Sequence, residues 1–174
     1  MEMFYSNIVG TLVVEDDSPR PVAMIKDLVM DPDRGALIAF VVNQNKGLIV
    51  SPMDVISLKQ VMKINNADNI VEAAEILRVS EVLKSHRPIF GAKVFTKSGD
   101  YLGKVFDFSI DAKTYDLNKI FAAKDILGLF RYNSLIIPAK SIVEVKSYKI
   151  IVKDGKEAKK EESSQRVPIK GVAA

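Results

Sequence analysis

Hydrophobic residues occur along this chain in short runs that turn-forming residues separate. The runs are rich in Val, Ile, Leu and Phe, and Gly, Asp, Asn, Pro and Ser interrupt them at close spacing. Such a pattern is typical of the strands of a β-barrel or sandwich, and it predicts an all-β protein. The predicted strands are residues 8–14, 23–30, 36–43, 47–51 and 61–64, followed by 89–95, 103–110, 117–123, 134–138 and 148–152.

The two groups of strands repeat one sequence pattern. Residues 25–31 align with residues 105–111 at an offset of 80, and residues 49–52 align with 135–138 at an offset of 86. Self-similarity of this kind indicates a duplicated unit. The change in offset places six extra residues in the second copy, within residues 124–133.

The repeat divides the chain into four segments: a first barrel repeat at 1–66, a helical connector at 67–88, a second barrel repeat at 89–153 and a tail at 154–174. The tail has few large apolar residues, so we expect it to be disordered. Asp68 is a candidate N-cap for the connector helix. The residues spaced as one face of that helix are Ile70, Val71, Ala74, Leu77 and Val79.

A closed barrel is the architecture that we expect for each copy. Closure removes the exposed edges of a small sheet and encloses a small core. Side chains fill the interior of such a barrel and leave no room for a ligand. The sequence therefore predicts two small β-barrels in tandem, with any activity on their outer surfaces and no small-molecule substrate.

The order of motifs in the second copy resembles a known family. It begins with Ile-x-Gly-x-x-Val at residues 89–94, continues with Leu-Gly-Lys-Val-x-Asp at 102–107, and ends with a strand that runs into Pro138. This order resembles the PRC-barrel domain, named for the H subunit of the photosynthetic reaction centre and also found in the ribosome maturation factor RimM. The first copy departs from the pattern, because Ala23 stands in place of Gly103 and Ser-Pro-Arg-Pro replaces the glycine turn.

This resemblance covers residues 7–65 and 88–153. It implies a small β-barrel that mediates contacts in assembly, RNA-processing or membrane-associated complexes. The family has no catalytic motif to transfer to this chain, and the resemblance does not name a partner.

Composition narrows the classes of function. The 174 residues include no cysteine and one histidine, His86. Thiolate nucleophiles, zinc–cysteine sites and histidine pairs are therefore excluded within one chain. We expect no enzyme activity, no catalytic residues, no metal and no cofactor. No apolar run approaches the roughly 18 residues of a membrane helix, and no secretory signal is recognisable, so a cytoplasmic protein without a membrane span is expected.

Charge is distributed unevenly over the chain. The formal net charge is +3 at pH 7, but acidic residues predominate over residues 1–66 and basic residues over residues 89–153. Such asymmetry indicates either an anionic partner for the basic half or one half that faces the other. Because the lysines of the second copy are scattered over several strands and turns, a solvated surface is the favoured interpretation.

Four aspartates recur at matching positions of the two copies. They are Asp27 and Asp31 in the first copy and Asp107 and Asp111 in the second. A spacing of four on a strand places both carboxylates on one face, which is compatible with a paired-carboxylate or metal site. The alternative is turn chemistry, in which aspartates bind nearby backbone N–H groups. Recurrence in both copies favours the structural role.

Gly10, Gly91 and His86 are the other single residues with a candidate role. The two glycines allow a close approach to a ligand or, as we favour, a bulge or bend that curves the strand. His86 is compatible with pH sensing, although a solvated position at the end of a helix is the favoured interpretation.

The extra residues of the second copy are the best candidate for a binding site. They place apolar and aromatic side chains with an arginine at a predicted hairpin tip, a combination that interface hot spots use. The alternative is that this hairpin folds back onto its own barrel or onto the connector. The candidate partner-binding residues are Ile126, Leu127, Leu129, Phe130, Arg131 and Tyr132.

Two hypotheses of function follow. The first is a protein–protein adaptor or scaffold that holds a protein partner or a second copy of itself. The alternative is an RNA-binding or ribosome-assembly factor that uses the basic second repeat. Peripheral membrane association and catalysis are disfavoured.

Overall fold

The chain folds into two β-sheets that share one hydrophobic core. The computed structural model describes residues 1–43, 47–126, 130–155 and 159–160, and for residues 125, 126, 130–133, 159 and 160 it describes the backbone alone. The elements up to the second helix are β1 Glu2–Phe4, α1 Tyr5–Ile8, β2 Leu12–Glu15, β3 Pro21–Asp31, β4 Ala36–Val42, β5 Leu48–Val50, β6 Val55–Leu58, β7 Met62–Ile64, β8 Ile70–Glu72 and α2 Leu77–Ser85. The later elements are β9 Lys93–Thr96, β10 Tyr101–Asp111, β11 Leu117–Ile126, β12 Phe130–Pro138, β13 Ile142–Lys146, β14 Lys149–Val152 and β15 Lys159–Lys160. The chain is mostly β-strand, as the sequence predicted.

Equivalent strands follow the same order in the two sheets. The first sheet runs β6-β7-β2-β3-β4-β5-β8, and the second runs β13-β14-β9-β10-β11-β12-β15. In both sheets a late strand returns to lie parallel to an early one, with Val13 opposite Met62 in the first and Val94 opposite Ile150 in the second. The neighbouring strands along each path are otherwise antiparallel.

Strands β2 and β9 begin later than predicted, because a glycine turn precedes each of them. Val9 (φ −65°, ψ 130°) and Gly10 (φ 93°) have the dihedral angles of a type II turn. The N–H of Thr11 closes this turn by donating to the carbonyl of Ile8 at 3.1 Å. Gly91 (φ 78°) occupies the same position before β9. These glycines therefore form turns before the strands; of the two structural interpretations, a bulge or a bend, the bulge is wrong.

The connector was predicted as a helix from residue 68, and this prediction is wrong over its first half. Residues Ile70–Glu72 form β8, which pairs antiparallel with β5 along the edge of the first sheet. β-Branched residues such as Ile70 and Val71 suit a paired strand better than a short helix. Asn66, and not Asp68, caps the 3-10 turn that precedes this strand, and the helix begins only at Leu77.

The two halves of the chain are joined by backbone hydrogen bonds. Strand β1 pairs with β10 in the second sheet, with Glu2 opposite Asp111 and Phe4 opposite Ser109. The halves also meet where the N–H of Leu37 donates to the carbonyl of Tyr115 and the N–H of Leu117 donates to the carbonyl of Gly35, at 2.9 and 2.7 Å. Because these residues are equivalent at the offset of 80, the contact has local two-fold character.

One apolar cluster joins the inner faces of both sheets. It includes fully buried Ile25 and Phe40 of the first sheet and Phe108 and Ile120 of the second. A second, smaller cluster lies on the outer face of the first sheet, where α2 packs through Val79 and Val82. The first sheet is therefore covered on both faces by the chain itself.

The extra residues of the second copy lengthen one hairpin. Strands β11 and β12 pair from Lys119 opposite Pro138 to Ile126 opposite Phe130. Among the described residues of the first sheet, the equivalent strands, β4 and β5, pair at Phe40 and Val41. Of the predicted tail, residues 154, 155 and the two residues of β15 are described, and β15 pairs with β12; residues 156–158 and 161–174 lie outside the described part.

Candidate partner-binding surfaces

Two of the four recurrent aspartates, Asp31 and Asp111, cap turns at the ends of their strands. Oδ1 of Asp31 accepts hydrogen bonds from the backbone N–H groups two and three residues further on, at 3.0 and 3.3 Å. Oδ1 of Asp111 accepts the equivalent pair at 2.7 and 3.1 Å. The turn interpretation of these two residues is confirmed.

Asp27 and Asp107 hold the short helix α1 in place. The hydroxyl of Tyr5 donates to Oδ1 of Asp27 at 3.1 Å, and Ser6 donates to both carboxylate oxygens of Asp107, from its N–H at 3.1 Å and its hydroxyl at 2.7 Å. Each aspartate also accepts the N–H of the next residue. Within the described residues, no group of three or more His, Asp or Glu side chains is arranged to hold a metal ion.

An ion-pair network ties α2 to the turn between β3 and β4. Arg78 donates to both oxygens of the fully buried Asp31, at 2.8 and 2.6 Å, and to Asp33 at 2.8 Å. Arg87 donates to both oxygens of Asp33 at 2.8 and 3.0 Å. The Arg78 guanidinium lowers the pKa of Asp31, and Arg87 and Arg78 lower the pKa of Asp33. These charged groups are thus engaged in holding the helix.

His86 ends α2 and remains exposed. Its backbone adopts the left-handed conformation (φ 52°, ψ 43°), and its Nδ1 lies 2.8 Å from the carbonyl oxygen of Lys84. The interpretation of His86 as a residue that terminates a helix is confirmed.

Two aromatic rings lie between two lysines across four adjacent strands of the second sheet. The Lys149 ammonium lies 4.4 Å from the ring centroid of Phe95, which lies 5.2 Å from the ring centroid of Tyr101. The Lys124 ammonium lies 6.0 Å from the Tyr101 centroid. We call Lys149, Phe95, Tyr101 and Lys124 the basic–aromatic row. These residues are distant in sequence, so the pattern of charge along the chain does not reveal the row.

The outer face of the second sheet carries an aromatic cluster of Phe4, Phe106 and Phe121, with ring centroids of neighbours 5.8 and 6.3 Å apart. At the offset of 80, Phe121 corresponds to Val41, which lies under α2 in the first sheet. The sequence contains a signal for this cluster: at the offset of 80, a lysine of the first copy, the exposed Lys26, is replaced by the aromatic Phe106 in the second.

Of the predicted binding residues, Ile126, Phe130, Arg131 and Tyr132 lie at the described end of the long hairpin. The backbone of Ile126 pairs with that of Phe130, Asp125 pairs with Arg131, and Lys124 pairs with Tyr132. Leu127 and Leu129 lie outside the described residues. The participation of these six residues in binding stays a prediction.

A groove of about 380 Å³ lies between the C-terminal end of α2 and the second half of the chain. Asp27, Leu28, Val29 and Met30 of β3 line its floor. Its other lining residues include Val82, Leu83, His86, Arg87, Pro88, Phe90 and Tyr148. The exposed fractions of Leu83, Phe90 and Tyr148 are 37%, 45% and 57%. Nothing in the sequence pattern brought these segments together.

Comparison with known proteins identifies one family. The PRC-barrel domain matches residues 81–159, which run from within α2 to the first residue of β15. No curated protein matches the chain. Within the described residues, no helix has the length and apolar character to cross a membrane.

Proposed function

We propose that this chain is a non-catalytic protein-binding module, built from two PRC-type barrels in tandem, that binds a partner through the outer surface of the second barrel. PRC-barrel domains are generally non-catalytic and often mediate protein interactions. Because the apolar cluster fills the space between the two sheets, a partner would bind on the outer surface.

One observation carries the proposal. The chain covers the outer face of its first sheet with α2, whereas the equivalent face of the second sheet bears Phe4, Phe106 and Phe121. Aromatic side chains are enriched in the energetically important part of interfaces. The backbone pairing of β11 with β12 continues this sheet past Lys124, as far as Ile126 opposite Phe130.

Affinity purification with the full chain as bait tests this function. We expect the combined substitutions Leu129→Ser and Phe130→Ser, and separately Phe106→Ala, to reduce recovery of the specific partner at least tenfold. The matched control is Met53→Ser with Ile56→Ser, because these side chains are 95% and 48% exposed on the first half. Equal recovery by folded forms of all the variants would contradict the proposal.

The second candidate function is RNA binding, and the basic–aromatic row supports it. Proteins that bind single-stranded nucleic acid combine basic side chains with aromatic rings on which bases stack. Tyr101 is 39% exposed and is flanked by Lys124. We expect Tyr101→Ala to weaken binding to a single-stranded RNA probe, and binding to fall as salt rises. No shift of the RNA at low salt would remove this candidate.

A further inference from the structure

Strand β1 lies at a position whose equivalent in the first half holds no strand among the described residues. On one edge, β10 pairs with β11; on the other edge, its residues Ser109–Asp111 pair with β1. The equivalent residues of β3 are Val29–Asp31, which pair with β4 on one edge. In the part of the chain that the structure describes, no strand pairs with their other edge.

The groove lies along this edge of β3. Successive side chains of a strand point to opposite faces of the sheet, so a groove lined by all of Asp27, Leu28, Val29 and Met30 reaches the edge of the strand. It also extends over the outer face of the first sheet, where Val41 of β4 and Val82 of α2 line it. The end of α2 forms the outer wall through Leu83, and Phe90 and Tyr148 line the groove from the second half. At about 3.3 Å per residue, these four residues offer room for one short strand.

The molecule itself shows what such a position accepts. In β1, the central residue Met3 lies opposite Ile110 and packs against the shared core. Its neighbours Glu2 and Phe4 have partners on the outer face, where Glu2 accepts a hydrogen bond from the Ser109 hydroxyl at 2.8 Å and Phe4 contacts Phe121. A strand beside β3 would place its central side chain next to Met30 in the same way.

Most residues that line the groove are apolar. Leu28, Val29 and Met30 are between 5% and 8% exposed. Of the charged groups, Arg87 is paired with Asp33, and Asp27 accepts the Tyr5 hydroxyl. Recognition here therefore depends on apolar side chains and on the backbone of the strand edge.

We propose that this groove binds an extended peptide segment of a partner protein, with an apolar central residue, as an added strand on β3. Strand addition of this kind draws affinity from backbone hydrogen bonds and specificity from pockets for alternate side chains. The inference rests on the proposed protein-binding function and names the class of partner segment and a second surface that it uses.

Peptide selection on the full chain tests this inference. The probes are octapeptides selected from a random displayed library, then synthesised and titrated by fluorescence anisotropy. We expect Tyr148→Glu and, separately, Leu83→Glu to weaken the best peptides at least tenfold. Leu77→Glu is the matched control, because Leu77 lies on the same helix, is 74% exposed and does not line the groove. The amide resonances of Val29 and Met30 should shift on binding.

N-methylation of the peptides provides a second readout. Because only alternate residues of an added strand pair with β3, methylation at alternate positions should abolish binding, while methylation at the intervening positions should leave it intact. The inference is overturned if no peptide is selected, if groove variants bind as well as the wild type, or if methylation has the same effect at every position. Self-association of the full chain that Tyr148→Glu abolishes would assign the groove to a second copy and also overturn it.

The affinity purification separates this inference from the proposed function. Loss of the partner with the hairpin variant, together with a groove that binds no peptide, leaves the function standing and removes the added strand. A groove that binds peptides, with partner recovery unchanged in every outer-face and groove variant, supports the added strand and removes the proposed function.

Discussion

Asp31 and Asp111 make the same turn hydrogen bonds, but their surroundings differ. The Asp31 side chain is fully shielded from solvent and carries the two-point contact from Arg78, whereas the Asp111 side chain is 38% exposed. Removing one partner of a buried ion pair leaves the other uncompensated. We expect Asp31→Asn to lower the free energy of unfolding by about 2 kcal/mol at pH 7, and Asp111→Asn to lower it by less, as measured by urea denaturation.

The ion pair of Asp31 with Arg78 predicts that the free energy of unfolding depends on pH. Arg78 lowers the pKa of Asp31 in the folded state, so the stabilisation is fully present above the unfolded value of about 3.9 and is lost as pH falls through the folded value. Stability should therefore fall more steeply below about pH 4 in the wild type than in Asp31→Asn. Equal slopes in urea titrations between pH 2 and pH 6 would show that Asp31 does not contribute.

Gly103 is constrained by the backbone beside it. It has φ 129°, and a Cβ at this position would overlap the carbonyl group of Ala123 in β11. Gly91 also has positive φ, but a Cβ there would meet only the end of the Lys104 side chain, at 3.8 Å. We expect Gly103→Ala to cost roughly 2–3 kcal/mol and Gly91→Ala about 1 kcal/mol. If urea denaturation gave equal losses of stability for the two variants, the positive φ angle alone would account for the cost, and the contact with Ala123 would contribute nothing.

At the scale of elements, the sequence pattern was reliable where burial alternates along long strands. Strands β3, β4, β10 and β11 were located within a few residues. The pattern failed for elements that depend on strands distant in sequence. Residues 2–4 form β1 because β10 lies beside them, and residues 70–72 form β8 because β5 lies beside them. The aromatic cluster could be inferred by comparing Lys26 with Phe106. The groove could not, because it combines β3 with the end of α2 and with Tyr148.

Helix α2 contributes stability through its buried face. Val82 is 6% exposed and packs on the outer face of the first sheet. Truncating it removes apolar contacts and leaves a cavity, so Val82→Ala should lower the free energy of unfolding by about 2 kcal/mol. Leu77→Ala is the control, since Leu77 is 74% exposed, and it should leave the urea midpoint nearly unchanged.

At the scale of the whole molecule, the two sheets depend on each other. They share one apolar cluster, and β1 belongs to the sheet of the opposite half. We therefore expect the fragments 1–66 and 67–160 to lack stable structure when separate and to regain it when mixed, as followed by circular dichroism and sedimentation. A fragment that folds cooperatively alone would show that its half is autonomous.

The position of β1 also has a consequence for synthesis on the ribosome. Glu2 cannot pair until Asp111, its partner across the sheet, has been translated. At typical elongation rates this delay is on the order of 5–20 s. Throughout that interval β1 lacks its pairing strand, so the nascent chain presents an unpaired segment to chaperones.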